Sequence, residues 1–302
     1  MSRKGIAQLV VLWALLLLGT LAMSFAFSMR TEAQASRNGL EAARAYFQAR
    51  TGVDRAIALL SSLPADNVLA GPVTGGEDGA AYEALVTAES GKIDVNVVSE
   101  EALKEILQNG GLSGDEAEEL GDAILDWRDE DDRPRPRGAE EQDYASLPEP
   151  VKPRNGRLAS VGELRYVRGV APEFFTRFLA VVFTVDSGMP GVDMNVAPVE
   201  VLRVLPGFTP ELAALAAARR EEAPFRSPAD VAAFLAGEGV SPPAIPMFSI
   251  AGTSRVYTIT STGKAGGTVA RVIRCTIESR GGPKPFTIRH WEDHVPIGEE
   301  AG

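Results

Sequence analysis

Between Asp126 and Asp143 the chain reads Asp-Trp-Arg-Asp-Glu-Asp-Asp-Arg-Pro-Arg-Pro-Arg-Gly-Ala-Glu-Glu-Gln-Asp. Carboxylates at this density suit one chemistry, the holding of a hard cation by oxygen. Asp129, Asp131 and Glu140 stand at positions one, three and twelve of a twelve-residue loop, as in a calcium-binding hand. Pro134 takes the place that such a hand gives to glycine, and Arg133 takes the ligand place before it. The pattern points to an irregular oxygen cage for Ca²⁺, with Asp129, Asp131, Glu140 and Asp143 as candidate ligands. A solvated acidic face is the competing reading, because residues 94–150 carry 18 acidic side chains against 5 basic ones.

Other reactive side chains are sparse. His290 and His294 lie four apart beside Glu292 and Asp293, but a structural zinc site needs four ligands. They read as part of an exposed tail. Cys275 sits in an alternating, strand-like run and reads as a buried structural thiol. There is no Ser-His-acid motif, Walker loop or glycine-rich dinucleotide turn in the sequence. The expectation is a protein that is not an enzyme.

The elements that must position the acidic segment begin with an unusual N-terminus. Met1 to Gly5 is a short basic leader, and Ile6 to Met29 is 24 residues without a charge. About 20 apolar residues suffice to span a bilayer as a helix. Arg3 and Lys4 would keep the N-terminus cytoplasmic. The run is too long for a signal-peptide core, and no clear Ala-x-Ala site follows it. From Arg30 onward the chain stays rich in Ala, Glu, Arg, Gln and Leu, and no proline occurs before Pro64. One helix of roughly 80 Å over residues 6–60 follows, half in lipid and half beyond it.

Residues 63–92 read as a loop followed by the first strands of a sheet: Ser61 to Asp78 is rich in Gly, Pro, Ser, Asp and Asn and reads as the loop, Tyr82 to Ala88 as a strand, and Lys92-Ile-Asp-Val-Asn-Val as a further extended stretch. A weak repeat then appears: Ile93-Asp-Val-Asn-Val-Val-Ser-Glu-Glu-Ala-Leu103 matches Val192-Asp-Met-Asn-Val-Ala-Pro-Val-Glu-Val-Leu202 at an offset of 99. Each copy leads to a short helix, a glycine turn and a second helix, and Leu164 to Glu173 holds a looser copy of the turn. These pairs look like helix-hairpin-helix units. After Pro242, Pro243 and Pro246 the texture becomes β-branched, with Gly263 to Gly267 as a hairpin turn. The fold class expected is α+β: a long N-terminal helix and a small antiparallel sheet interrupted by an α-helical insertion over 93–250. Remaining strands are expected over 251–290 and a tail over 291–302.

Composition narrows the function. A net charge of −11 in 302 residues argues against nucleic-acid and anionic-lipid partners. A DNA-binding hairpin would present a Gly-x-Gly turn and basic residues, whereas Thr209 replaces the second glycine, and Glu211 and Asp115-Glu116 stand close by. With one cysteine there is no intramolecular disulfide, so a domain beyond the membrane needs another source of rigidity, for which a bound metal is a candidate. A DNA-uptake pilus protein and a plain membrane-anchored periplasmic binding domain are the alternatives.

The leader, the helix, the acidic Asp-Trp-Arg-Asp-Glu-Asp-Asp…Gly-Ala-Glu segment, Ser160-Val-Gly-Glu-Leu-Arg-Tyr-Val-Arg-Gly-Val and Met194-Asn-Val-Ala-Pro…Leu205-Pro-Gly-Phe-Thr-Pro together resemble the type II secretion minor pseudopilin K (GspK) family. The resemblance implies a non-enzymatic subunit at the pseudopilus tip, beside the minor pseudopilins I and J, that supports export of folded proteins across the outer membrane. It implies a single-pass protein of the inner membrane with most of the chain in the periplasm. It implies cleavage by a prepilin peptidase after Gly5 and methylation of Ile6, and contact with secreted substrates or the outer-membrane secretin. It also supports the Ca²⁺ assignment. Most pilin-like proteins carry glutamate at the fifth mature position, where this chain has Val10. A subunit with valine suits the end that has nothing above it.

Overall fold

The computed structural model describes residues 3–62, 71–147, 149–240, 248–249, 255–267, 269–280, 286–293 and 295, with the side chains of α1 described from Gln8. His294, most of the tail, residues 63–70 and the prolines at 242, 243 and 246 lie outside the described residues.

Helix α1 runs Arg3–Ser62 without a break. Its first half is apolar all round, with a mean hydropathy of 2.3 in its best window, and none of that window is buried by the rest of the chain. Such a helix is long and apolar enough to anchor the chain in a membrane in a single pass. Its second half buries a stripe of small residues, Ala45, Ala49, Val53 and Ala56. The spacing of three and four keeps them on one face.

That face packs on a sheet. Among the described residues, β1 (Val73–Glu77), β2 (Ala80–Ala88), β7 (Val256–Ala265), β8 (Val269–Ser279) and β9 (Phe286–Asp293) pair antiparallel in the order β1-β2-β7-β8-β9. Ala84, Ile259, Ile273, Cys275 and Ile277 meet the helix stripe. The approach is close enough that a Cβ on Gly263 would overlap the backbone of Ala45 and Ala49. Two boundaries differ from the sequence reading. Val73–Glu77 is a strand and not a loop, because Asp78 and Gly79, both at positive φ, close a tight hairpin onto β2. Strand β9 continues through Trp291 to Asp293, so the tail starts later, and His290 is a strand residue opposite Thr276.

Between β2 and β7 lies the helical domain. It holds β3 (Ile93–Asp94), α2 (Glu100–Asn109), α3 (Gly114–Arg128), α4 (Glu141–Ala145), a 3-10 turn at Val161–Tyr166 and α5 (Pro172–Phe174). A π-turn at Phe175–Leu179, α6 (Ala180–Val182) and β4 (Phe183–Thr184) follow. The last elements are β5 (Val192–Asp193), α7 (Val199–Leu202), α8 (Pro210–Glu222), α9 (Pro228–Gly237) and β6 (Phe248–Ser249). One apolar core unites them, including Leu103, Ile106, Ile124, Leu164, Leu179, Met194, Leu202 and Leu205.

The offset of 99 in the sequence is a structural duplication. Strand β3 pairs parallel with β4, and β5 pairs parallel with β6, apart from the main sheet. In each unit the aspartate accepts the amide of the asparagine two residues on, at 2.9 Å for Asp94 and 3.0 Å for Asp193. This turn ends each strand after two residues, where a longer extended stretch was read. Asn96 bonds Leu158 through both backbone groups, and Asn195 does the same to Phe225. Arg128 donates to Val95 O and Val98 O, and Arg220 to Met194 O and Ala197 O.

Three helix-to-helix turns share one design. Gly111, Gly169 and Gly207 have φ of 104°, 89° and 78°, a region that favours glycine. Each is followed by an apolar residue and then by the N-cap residue of a helix: Ser113, Ala171 and Thr209.

Candidate metal centre

Helix α3 aims its acids at the loop that follows it. Its N-terminus is fixed by a capping box, Ser113 with Glu116. Asp122 and Asp126, one turn apart, are both buried. Asp122 meets Lys104 of α2 at 2.8 Å, and Lys104 also reaches Glu100 and Glu118, which raises its pKa despite partial burial. The other Asp122 oxygen accepts the amide of Arg137 at 3.1 Å. Asp126 accepts the amide of Arg135 and, at 2.6 Å, its guanidinium. A Cβ on Gly138 would overlap Asp126 Oδ2, so the loop folds back onto α3 only with glycine there.

Asp129 ends α3 and splits its carboxylate. Its Oδ2 accepts from Arg135 at 2.6 Å, while its Oδ1 is buried without a hydrogen-bond partner. Glu140, 5% exposed, has both carboxylate oxygens buried and without a hydrogen-bond partner among the described residues. Ligand oxygens of Asp129, Asp131 and Glu140 lie within 4.8 Å of one another. Burial, followed by the charges of Asp126, Asp129, Asp132 and Asp131, pushes the Glu140 carboxyl up to about 7. A buried carboxylate without partners is costly, and a cation among these oxygens would remove that cost. The donor set is oxygen throughout, which fits a hard cation such as Ca²⁺.

The twelve-residue spacing therefore falls between two helices, α3 and α4, but the interior is not that of a calcium-binding hand. Arg135 fills the space between Asp126 and Asp129. Of the four candidate ligands, Asp129, Asp131 and Glu140 converge. Asp143 sits on α4, where its Oδ2 accepts the Glu140 amide at 3.0 Å. Sequence reasoning passed over Asp126, Arg135 and Gly138. The i,i+4 pair of acids beside Trp127 was the signal available, because an acid on a core-facing helical stripe needs a partner.

The remaining candidates have other settings. Cys275 is buried, and burial pushes its thiol up to about 11, away from nucleophilic use. The hydroxyl of Thr209 caps α8 by accepting the Leu212 amide. Val10 lies exposed on the apolar half of α1, and Gly5 and Ile6 fall within the same helix.

Residues 82–186, from β2 through the acidic loop to the end of the first unit, match the family described as Type II secretion system (T2SS), protein K. Through this domain the chain is similar to type II secretion protein K. Type II secretion system protein K of Pectobacterium carotovorum subsp. carotovorum is 34% identical over 90 residues, covering 30% of this chain and 27% of that one. The protein K of Dickeya chrysanthemi is 33% identical over 100 residues, covering 33% of this chain and 25% of that one. The matched stretch thus spans about a quarter of the length of these relatives. In fold, the chain is similar to a chain of the GspK-GspI-GspJ complex of enterotoxigenic Escherichia coli. That likeness has a TM-score of 0.61 at 15% identity, and covers 89% of this chain and 100% of the other.

Proposed function

We propose that this chain is a minor pseudopilin at the tip of the type II secretion pseudopilus, acting by shape and not by catalysis. The observation that carries the reading is one continuous helix with a bare apolar half and a half packed on a sheet, the sheet interrupted by a protein K domain. The apolar half anchors the subunit in the inner membrane with the helical domain in the periplasm. A prepilin peptidase cleaves after Gly5, Ile6 is methylated, and the mature helix enters the filament beside the minor pseudopilins I and J. The similar fold in a complex with I and J supports these partners. The bulky helical domain, with its helix-hairpin-helix-like pairs, caps the filament and faces secreted proteins or the outer-membrane secretin. Purification from native membranes tests this reading. The expected result is a chain beginning at N-methylated Ile6 that retains I and J. A chain still beginning at Met1 or Ser2, without either partner, would leave a plain membrane-anchored domain.

We further propose that Asp129, Asp131 and Glu140 hold Ca²⁺, with Asp143 shaping the site through the Glu140 backbone. Orphaned buried oxygens on Glu140 and Asp129 support this assignment. Calorimetry of the full chain in detergent should show Ca²⁺ binding that Asp129→Ala abolishes. Equal and negligible heats from both proteins would remove the ion.

A further inference from the structure

We infer that Arg168, which is 28 residues beyond Glu140 in sequence, is a positioning residue for the cation site. The inference rests on the Ca²⁺ reading and adds a residue that lies outside the acidic loop. Arg168 belongs to the second glycine turn, next to Gly169, whose φ is 89°. Its guanidinium donates through one nitrogen to Arg137 O at 2.8 Å and Gly138 O at 2.5 Å. Its backbone amide donates to the hydroxyl of Tyr144 at 3.1 Å. Tyr144 is fully buried on α4, with its ring edge-on to Trp127 of α3 at 5.1 Å. One residue therefore pins both ends of the segment 137–144, and Glu140 stands between the two points.

Glu140 needs such support. Its carboxylate is buried, and neither oxygen has a hydrogen-bond partner among the described residues, so no such bond aims it toward Asp129 and Asp131. Its aim is set by the backbone on either side. On the near side the chain is already tied by the Arg137 amide to Asp122, and Gly138 lies against Asp126. Arg168 closes the remaining freedom by holding the two carbonyls that precede Ala139 and Glu140. Groups that orient metal ligands without touching the metal typically alter affinity 10- to 100-fold when removed. A lysine at 168 carries the charge and can donate, but its flexible ammonium is not held in place as the planar guanidinium nitrogen is, so it should restore only part of the effect.

The test is calorimetry with Ca²⁺ alone on the full chain in detergent. Arg168→Ala should weaken Ca²⁺ binding about tenfold or more, and Arg168→Lys should recover part of that loss. Both should melt, in chelator, close to the wild-type temperature, and amides of 137–144 in the Ca²⁺-loaded alanine variant should exchange faster. Tyr144→Phe keeps the ring and removes the hydroxyl, and should weaken binding in the same direction if Arg168→Ala does not fold. Binding by Arg168→Ala within twofold of wild type would overturn the positioning role. Absence of Ca²⁺ binding by the wild-type chain would overturn the cation reading first, and the two failures are read from different proteins.

Discussion

Glu140 is a buried carboxyl group on which the carboxylates of Asp129 and Asp131 converge, and its proton affinity follows from that placement. In the ion-free protein its pKa is about 7, whereas an unfolded chain would hold it near 4.5. The folded state therefore binds one more proton between these values, and its stability falls as pH rises from about 4.5 to about 7. Asp193, pushed up to about 6 chiefly by burial, adds a change of the same sign. Glu140→Gln separates the two, because a neutral amide cannot titrate. Chemical denaturation in chelator should give a wild-type stability that declines over this window and a variant curve that declines less. With saturating Ca²⁺ the wild-type trend should reverse, since the ion binds only the deprotonated site. A variant that tracks wild type in chelator would mean that Glu140 is ionised and solvated in the folded protein.

At the scale of the elements, the decisive contact is between α1 and β7. Small residues on both sides let two backbones approach, and Gly263 has no room for a side chain against Ala45 and Ala49. Gly263→Ala should cost about 1–3 kcal/mol, the usual range for overpacking, measured by denaturation of the full chain in detergent. Gly39→Ala on the open side of the same helix meets nothing within 4 Å and should be neutral or slightly stabilising. Equal effects from the two would place the helix away from the sheet. The long helix was legible in sequence because an unbroken run of helix formers leaves few alternatives. The duplicated Asp-x-Asn turns were legible because each aspartate caps the backbone amide two residues on, although the asparagines bond partners far along the chain. Strand β1 was missed because Val-Thr-Gly-Gly-Glu reads as a turn, and only pairing with β2 makes it extended. The acidic cluster was half legible: spacing pointed to Asp129, Asp131 and Glu140, but Arg135 and Arg168 reach the site through folding that no local pattern encodes.

Across the whole molecule, one helix joins an apolar half long enough to span a bilayer to a two-part head, and under the proposed cleavage after Gly5 the fifth mature residue would be Val10. Val10 is exposed on the apolar half of α1, free to meet lipid or another helix. A carboxylate at such a place is expensive unless a cation answers it, and a pilin-type neighbour would answer it with its N-terminal amine. A subunit placed last in the growing direction has no such neighbour, so valine fits it and glutamate does not. Val10→Glu should therefore lower recovery of the complex with I and J, and lower export of folded protein, while α1 still inserts. Cleavage after Gly5 should be unaffected, which separates a defect in assembly from one in processing. Full recovery of both complex and export would mean that Val10 does not specify the tip. The position of the subunit would then rest on the bulk of its helical domain alone.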